Sequence, residues 1–244
     1  FQAILVQLEQ MVLKYITNLI LMGDNLMTYS DDYFANRNLT DQRRLKQFDL
    51  DFELLSQYIE KGSICDIGCS TGEFLRHINW QGPKYGMEIN QHAIDIASDI
   101  IDFDKNIETE TNFFDVIVFR GTLQLVDRPF EMLRQSYSAL KPNGILYICA
   151  TPNLSSPLYK LKKNLPFIEW DKINFVPESK TLCQALANIG YRVETVKYPY
   201  LQTPYANVFR DHFMFLCNVV SPNFYPHAFW KSSMSIIAMK PNYE

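Results

Sequence analysis

The stretch Ile64-Cys65-Asp66-Ile67-Gly68-Cys69-Ser70-Thr71-Gly72-Glu73-Phe74-Leu75 decides the fold. An apolar strand ends in a carboxylate, a tight turn with Gly68 and Gly72 follows, and a helix begins at Glu73. Gly68 permits the turn and lets a ligand lie against bare backbone, and Gly72 lets the helix pack close to the strand. The helix start offers amide hydrogens to an anionic group. Glycine is scarce in this chain, nine in 244 residues, and five of the nine fall between positions 62 and 86. The backbone's special demands are therefore concentrated here.

Downstream of the turn, short apolar runs alternate with helical stretches. Strands are expected at Ser63–Ile67, Lys84–Glu88, Phe114–Arg120 and Gly144–Ala150, with helices at Glu73–Trp80, Gln91–Ile100 and Phe130–Leu140. Such alternation predicts right-handed βαβ units, a parallel sheet and helices on both faces. A further strand is expected between Ile100 and Ile107, where Asp102, Asp104 and Lys105 dilute its pattern. Beyond Ala150 lie nine of the twelve prolines. There a helix is expected at Ser179–Ile189 and strands at Tyr191–Tyr198 and Ser233–Lys240. The segments 151–178 and 199–231 read as irregular, aromatic-rich caps.

Upstream, Phe1, Ile4, Leu5, Leu8, Val12, Tyr15 and Leu19 form an amphipathic stripe over residues 1–22. It reads either as a lid or as a helix packed on the core. A second helix is expected over Leu39–Glu60. The organisation is thus an N-terminal helical region, 1–60, and a main domain, 61–244, carrying the two caps.

Composition narrows the function. The chain is 47% hydrophobic and 20% charged, which supports a packed core and argues against disorder. Its net charge of −4 does not favour a nucleic-acid backbone as partner. Glu9 and Lys14 interrupt the N-terminal apolar runs, so no membrane span is expected there. Five cysteines with no CxxC spacing point to reduced thiols, a cytoplasmic setting and no structural metal.

Glu88, at the end of the second strand, stands 20 positions after Gly68. A carboxylate there can accept both ribose hydroxyls of an adenosine ligand. Dinucleotide enzymes share this geometry, but Asp66 before the turn would repel a pyrophosphate and welcome a cationic amino group. Two further elements, Phe114-Asp115-Val116-Ile117-Val118-Phe119 and Leu140-Lys141-Pro142-Asn143-Gly144, follow in order.

Together these residues resemble the class I S-adenosylmethionine-dependent methyltransferases, and the resemblance covers about Tyr29 to Lys240. Ile173-Asn174-Phe175-Val176-Pro177-Glu178-Ser179 is similar to the small-molecule branch of that family. The resemblance implies a Rossmann-like, doubly wound α/β sheet of seven strands, the last antiparallel. It implies S-adenosylmethionine as cofactor, S-adenosylhomocysteine as product, and a ligand over the C-terminal strand ends. Asp66 would face the methionine amino group, and Gly68, Cys69 and Gly72 would line the methionine and ribose. Glu88 would hold the ribose with Ile89 beside the adenine. Asp102 and Phe103 would lie near the adenine, and Arg120 and Gly121 would border the methionine end. Tyr33 is a candidate cover for that end, or a surface tyrosine.

The chain departs from the family at two places. Cys69 replaces the middle glycine of the turn. Leu123-Gln124-Leu125-Val126 stands where many relatives carry Leu-Glu-His-Val, so no histidine base is available there. His77 and His92 read as surface residues. His212, with Asp211 available to orient it, is the candidate base if the acceptor needs one. The expected function is methyl transfer to a small-molecule acceptor, at oxygen of a sugar, lipid-linked or natural-product intermediate. The alternative is a non-catalytic binding module that keeps the nucleotide pocket; a nicotinamide dehydrogenase is a third reading.

Overall fold

A computed structural model of the chain describes residues 41–165, 168, 172–217, 226 and 228–242. The 1–22 stripe, Tyr33 and His227 lie outside the described residues. In chain order the elements are α1 (Gln42–Ser56), β1 (Ile64–Ile67), α2 (Glu73–His77), β2 (Lys84–Met87), α3 (Gln91–Ala97), β3 (Phe114–Arg120), α4 (Pro129–Ala139), β4 (Leu140–Pro152), α5 (Pro157–Lys162), α6 (Ser179–Ile189), β5 (Arg192–Lys197), α7 (Val208–Cys217) and β6 (Ser233–Met239).

The central strands are apolar on both sides because both sides are covered. Successive side chains of a strand point to opposite faces. Val116 and Val118 of β3, with Ile145, Tyr147 and Cys149 of β4, pack beneath α1 and α2 against Phe48, Leu55, Phe74 and Leu75. Their alternates, Ile117, Phe119, Leu146 and Ile148, pack on the other face against Leu133 of α4 and Leu182 and Leu186 of α6. The single run Ile145–Cys149 therefore feeds two separate cores.

The sheet order is β2-β1-β3-β4-β6-β5. β1, β2, β3 and β4 pair in parallel, and β6 runs antiparallel between β4 and β5. The last strand is antiparallel, as expected, but among the described residues the sheet has six strands rather than seven. The stretch expected to form a strand between Ile100 and Ile107 is reduced to one parallel bridge, Tyr85 to Asp102. Asp102 bonds Lys84 and Gly86 through its backbone, while its carboxylate turns back to accept from the Asp104 amide at 3.0 Å. That local turn ends the pairing.

The Lys-Pro-Asn-Gly turn is drawn into β4 as a bulge. Phe114 pairs with Leu140, but Val116 already pairs with Ile145. Asp115 secures it: one carboxylate oxygen accepts from Lys141 Nζ at 2.8 Å and from the Ser63 amide at 2.8 Å. Burial works against the Asp115 charge, but these partners outweigh it and hold its pKa below the usual carboxylate range.

The caps hold more regular structure than their sequence suggested. Ser156 caps α5 by accepting from the Tyr159 amide, with Pro157 in the first turn. Asn207 accepts from the Arg210 amide at the start of α7. Only Asp211 of α7 is buried, so no apolar stripe announced this helix. The caps share a small core of Leu158, Leu165, Ile168 and Phe229, against which Phe215 stacks with ring centroids 4.7 Å apart. Among the described residues no helix is long and apolar enough to cross a membrane.

Ile148 is wholly buried where β3, β4 and β6 meet. Ile148→Ala is expected to destabilise the fold by about 2–5 kcal/mol. Leu161→Ala, at a side chain left largely exposed, is expected to change stability by less than about 0.5 kcal/mol. Urea denaturation midpoints compare the two.

Candidate functional site

The site lies where β1, β2, β3 and β4 end. Asp66, in β1, pairs in register with Gly86 of β2 and Val118 of β3. The chain then bends. The amides of Gly68 and Cys69 both donate to the Met87 carbonyl, at 2.7 and 3.3 Å. Gly68 has φ of +71°, and a Cβ there would lie 2.4 Å from Thr122 Cγ2. Its conformation and its lack of a side chain are both required. Gly72 begins α2, but what a Cβ would meet there is Ile101 and Ala97, at 3.0 and 3.2 Å. It therefore serves contact with α3 and its following segment, not with the strand.

Cys69 fills the middle of the turn with a side chain that is 5% exposed. A Cβ on Gly86 would fall 2.7 Å from its Sγ, so the two positions share one small space. Burial pushes the Cys69 thiol well above its ordinary value, which makes it a packing group rather than a nucleophile.

Glu88 is held beside the turn. One oxygen accepts from the Ser70 amide at 2.9 Å, and the other accepts from the amides of Ile89 and Asn90 at 2.7 and 3.0 Å. The carboxylate thus braces the loop. Ile89 is exposed beside it, 62% of its surface free. Phe103 packs its ring edge near Gly86, while the Asp102 carboxylate is engaged with Asp104.

Asp66 is the anomaly. It is 2% exposed, and its Oδ1 has no hydrogen-bond partner among the described residues. Burial raises its pKa to about 7; Arg120 opposes the rise and Glu88 adds to it. A buried, unsatisfied carboxylate is costly unless something cationic comes to meet it.

Arg120 and Gly121 close the opposite side. Arg120 Nε donates to Asp51 Oδ2 at 2.9 Å, and its guanidinium carbon lies 4.3 Å from the Phe48 ring centre. The Gly121 amide donates to the Cys149 carbonyl at 2.8 Å. Gln124 donates to the Gly121 carbonyl at 2.8 Å and leaves its Oε1 buried and unpartnered among the described residues. Tyr205, from the loop before α7, lies within electrostatic reach of Arg120, Asp41, Arg44 and Arg43.

Sequence reasoning missed Asp51, Thr122 and Gln124. Asp51 is a charged residue within the apolar pattern of α1, and that irregularity was the available signal. His212 is bound otherwise than expected. Its Nδ1 pairs with the Val208 carbonyl at 2.7 Å, and its Nε2 faces Trp230 Nε1 at 3.3 Å. Asp211 does not orient it. That carboxylate accepts instead from Tyr200, the Asn207 amide and Arg210. Both imidazole nitrogens are already engaged, so the ring has no free lone pair for base catalysis in this arrangement. Among the described residues no group of three His, Cys, Asp or Glu side chains could hold a metal.

The sequence profile described as a methyltransferase domain matches residues 39–196, well over half of the chain. The chain belongs to that family. Its fold is that of solved S-adenosylmethionine-dependent methyltransferases. A solved S-adenosylmethionine-dependent methyltransferase from Aquifex aeolicus shares the fold with a TM-score of 0.56 and 16% identity, covering 87% of this chain and 100% of that one. The ubiquinone biosynthesis O-methyltransferase of Saccharomyces cerevisiae mitochondria is 30% identical over 101 residues, 35% of this chain and 32% of the relative. The malonyl-[acyl-carrier protein] O-methyltransferase of Halalkalibacterium halodurans is 29% identical over 107 residues, 36% of this chain and 38% of the relative. The matched stretch spans about a third of the length of these curated relatives.

The residues fit the family's cofactor. Asp66 presents an unpaired carboxylate to an ammonium, and Gly68 opens a cradle that any Cβ would close against Thr122. With a pKa near 7, Asp66 must lose its proton before pairing with that ammonium. Affinity for S-adenosylhomocysteine is therefore expected to fall by up to about tenfold per pH unit below pH 7, and to level off above it. In Asp66→Asn the slope should vanish. Titration calorimetry between pH 5.5 and 8 reads both. Glu88→Ala is expected to weaken the same ligand by about 1.5–3 kcal/mol, the range for hydrogen bonds to charged groups. An unchanged affinity would remove Glu88 from the site.

Proposed function

We propose that this protein transfers a methyl group from S-adenosylmethionine to the oxygen of a small-molecule acceptor, such as a sugar, lipid-linked or natural-product intermediate. The observation that carries the reading is the buried Asp66 carboxylate, unpartnered at its Oδ1 among the described residues, at the end of a central parallel strand. Ligands of open α/β sheets bind in the crevice beyond the strand ends, which is where Asp66, Glu88 and Arg120 lie. Oxygen as the receiving atom is supported by the two curated relatives, both named as O-methyltransferases.

When bound, the cofactor supplies a methyl group already activated by its sulfonium. The protein's task is then alignment and exclusion of water, worth about 7–11 kcal/mol in well-ordered cases. Asp66 takes the amino group and Glu88 the ribose hydroxyls. Gly68 allows the ligand to approach the backbone, with Cys69 beside it and Gly72 keeping the turn close to α3. Ile89 and Phe103 flank the adenine, with Asp102 shaping the loop beside it. Arg120 and Gly121 bound the methionine end, and Tyr33 is the candidate cover for it. The segments 151–178 and 199–231 would form the acceptor side, with Tyr205 reaching the strand ends.

No base is assigned. Leu125 removes the family's histidine, and the nitrogens of His212 are bound elsewhere.

Incubation with S-adenosylmethionine and a fractionated metabolite extract tests the reading. Acceptor-dependent S-adenosylhomocysteine, read by mass spectrometry, is the expected result. Cofactor binding without turnover across broad acceptor panels would instead favour the non-catalytic module. Binding of a nicotinamide dinucleotide in place of the sulfonium would favour a dehydrogenase.

A further inference from the structure

We propose that the outer face of α7 is a docking surface for an anionic lipid bilayer, on which the cap lies without crossing it. The inference does not depend on the cofactor reading, and it favours the lipid-linked member of the acceptor classes named above.

α7 presents large apolar side chains outward. Phe209, Phe213 and Leu216 are spaced four and three residues apart, which places them on one face of the helix. They are 90%, 64% and 66% exposed. The opposite face holds the helix to the protein: Asp211 is wholly buried, and Phe215 stacks on Phe229 with ring centres 4.7 Å apart. The outward face is therefore a ridge held in place from behind. Trp230 extends it. That side chain is exposed, and its Nε1 lies 3.3 Å from Nε2 of His212, which stands one turn from both Phe209 and Leu216. A contiguous run of large exposed apolar groups marks an interaction surface.

Cations rim the ridge. α5 lies against α7, with Lys162 Nζ 5.6 Å from the Phe215 ring centre and Leu158 in the small core that Phe215 joins. α5 also carries Lys160 and an exposed Leu161, and Lys163 ends it; Lys231 follows Trp230. Among the described residues none of these four lysines makes an ion pair. The two caps hold six lysines and arginines against four aspartates and glutamates, although the whole chain carries −4. One of those four acids is the buried Asp211. Positive charge is thus gathered beside the apolar ridge of an acidic protein.

An anionic bilayer satisfies both features. Phenylalanine and leucine enter the boundary between headgroups and acyl chains, tryptophan sits at the same level, and lysines reach the phosphates along their apolar stems. Two other covers fit less well. A second copy would set the same lysines against one another. The segment 1–22 has an apolar stripe, but Glu9 and Lys14 are its only charged side chains, so it brings no net negative charge to the rim.

Vesicle flotation of the full chain tests the proposal with two compositions: phosphatidylcholine alone, and an equal mixture of phosphatidylcholine and phosphatidylglycerol. The mixed vesicles are expected to carry the protein, less so as salt is added, and the neutral ones to carry little. Phe209→Gln combined with Phe213→Gln keeps good helix formers in α7 and should weaken binding at least about tenfold. Lys160→Gln and Lys163→Gln should each weaken it by up to about fivefold. Urea midpoints of all these variants should match that of the unaltered chain, because the replaced side chains are exposed. Failure to bind the mixed vesicles overturns the proposal. So does equal binding to both compositions, or binding that survives the phenylalanine pair. A lowered urea midpoint in that pair puts another part of this chain over the ridge, and a dimer in sedimentation that the pair abolishes puts a second copy there; either result overturns it. Cofactor affinity, read by calorimetry, is a separate measurement that none of these outcomes alters.

Discussion

A carboxylate at the end of a central strand, with an oxygen the protein does not satisfy, is the constraint around which this molecule is organised. Asp66 sits between β2 and β3, beneath a turn whose backbone is folded back onto β2 by two bonds to the Met87 carbonyl. Water is excluded from it, and the arginine that feels its charge is turned away to Asp51. Burial and the nearby Glu88 charge disfavour the ionised form of Asp66, and Arg120 offsets part of that cost. The glycine positions, the brace from Glu88 and the arginine lying over Phe48 are gathered around the same strand ends. The sheet supplies rigidity, since β3 and β4 are packed on both faces and leave their C-terminal ends little freedom to drift.

Much of this was legible in the sequence because the βαβ region obeys local rules. The turn at 68–72, the acid at 88, the apolar runs of β3 and β4 and the closing β6 are each visible within a window of a few residues. The methyltransferase family follows from the order of those windows. What failed did so for identifiable reasons. The expected strand between Ile100 and Ile107 has a plausible pattern, but Asp102 spends its side chain on its own loop and pairing stops after one bridge. Helix α7 was invisible because its one buried residue is an aspartate and two of its three phenylalanines, Phe209 and Phe213, are largely exposed. Periodicity detects the burial of apolar side chains, and α7 reverses that relation.

The site divides along the same line. Residues fixed by backbone geometry, such as Gly68 and Gly72, and by strand-end position, such as Asp66 and Glu88, could be placed from spacing alone. Asp51 could not, because it comes from α1 and meets Arg120 only through tertiary packing. His212 shows the converse error. Adjacency to Asp211 in sequence suggested a dyad, but on a helix neighbouring residues point about 100° apart. Asp211 turns inward to close the loop at Asn207 while His212 turns towards Trp230. The cap segments are the least readable part for the same reason: their contacts are long-range.

The position of β6 has an implication for how such a protein can diversify. Lys197 at the end of β5 lies in register with Ser235 near the start of β6. The intervening 199–231 segment therefore leaves the sheet and returns to it at neighbouring points, like the loop of a greatly enlarged hairpin. Its ends stay where they are whatever its length or composition. Evolution, or an engineer, can exchange that loop as a cassette while the sheet is inherited intact.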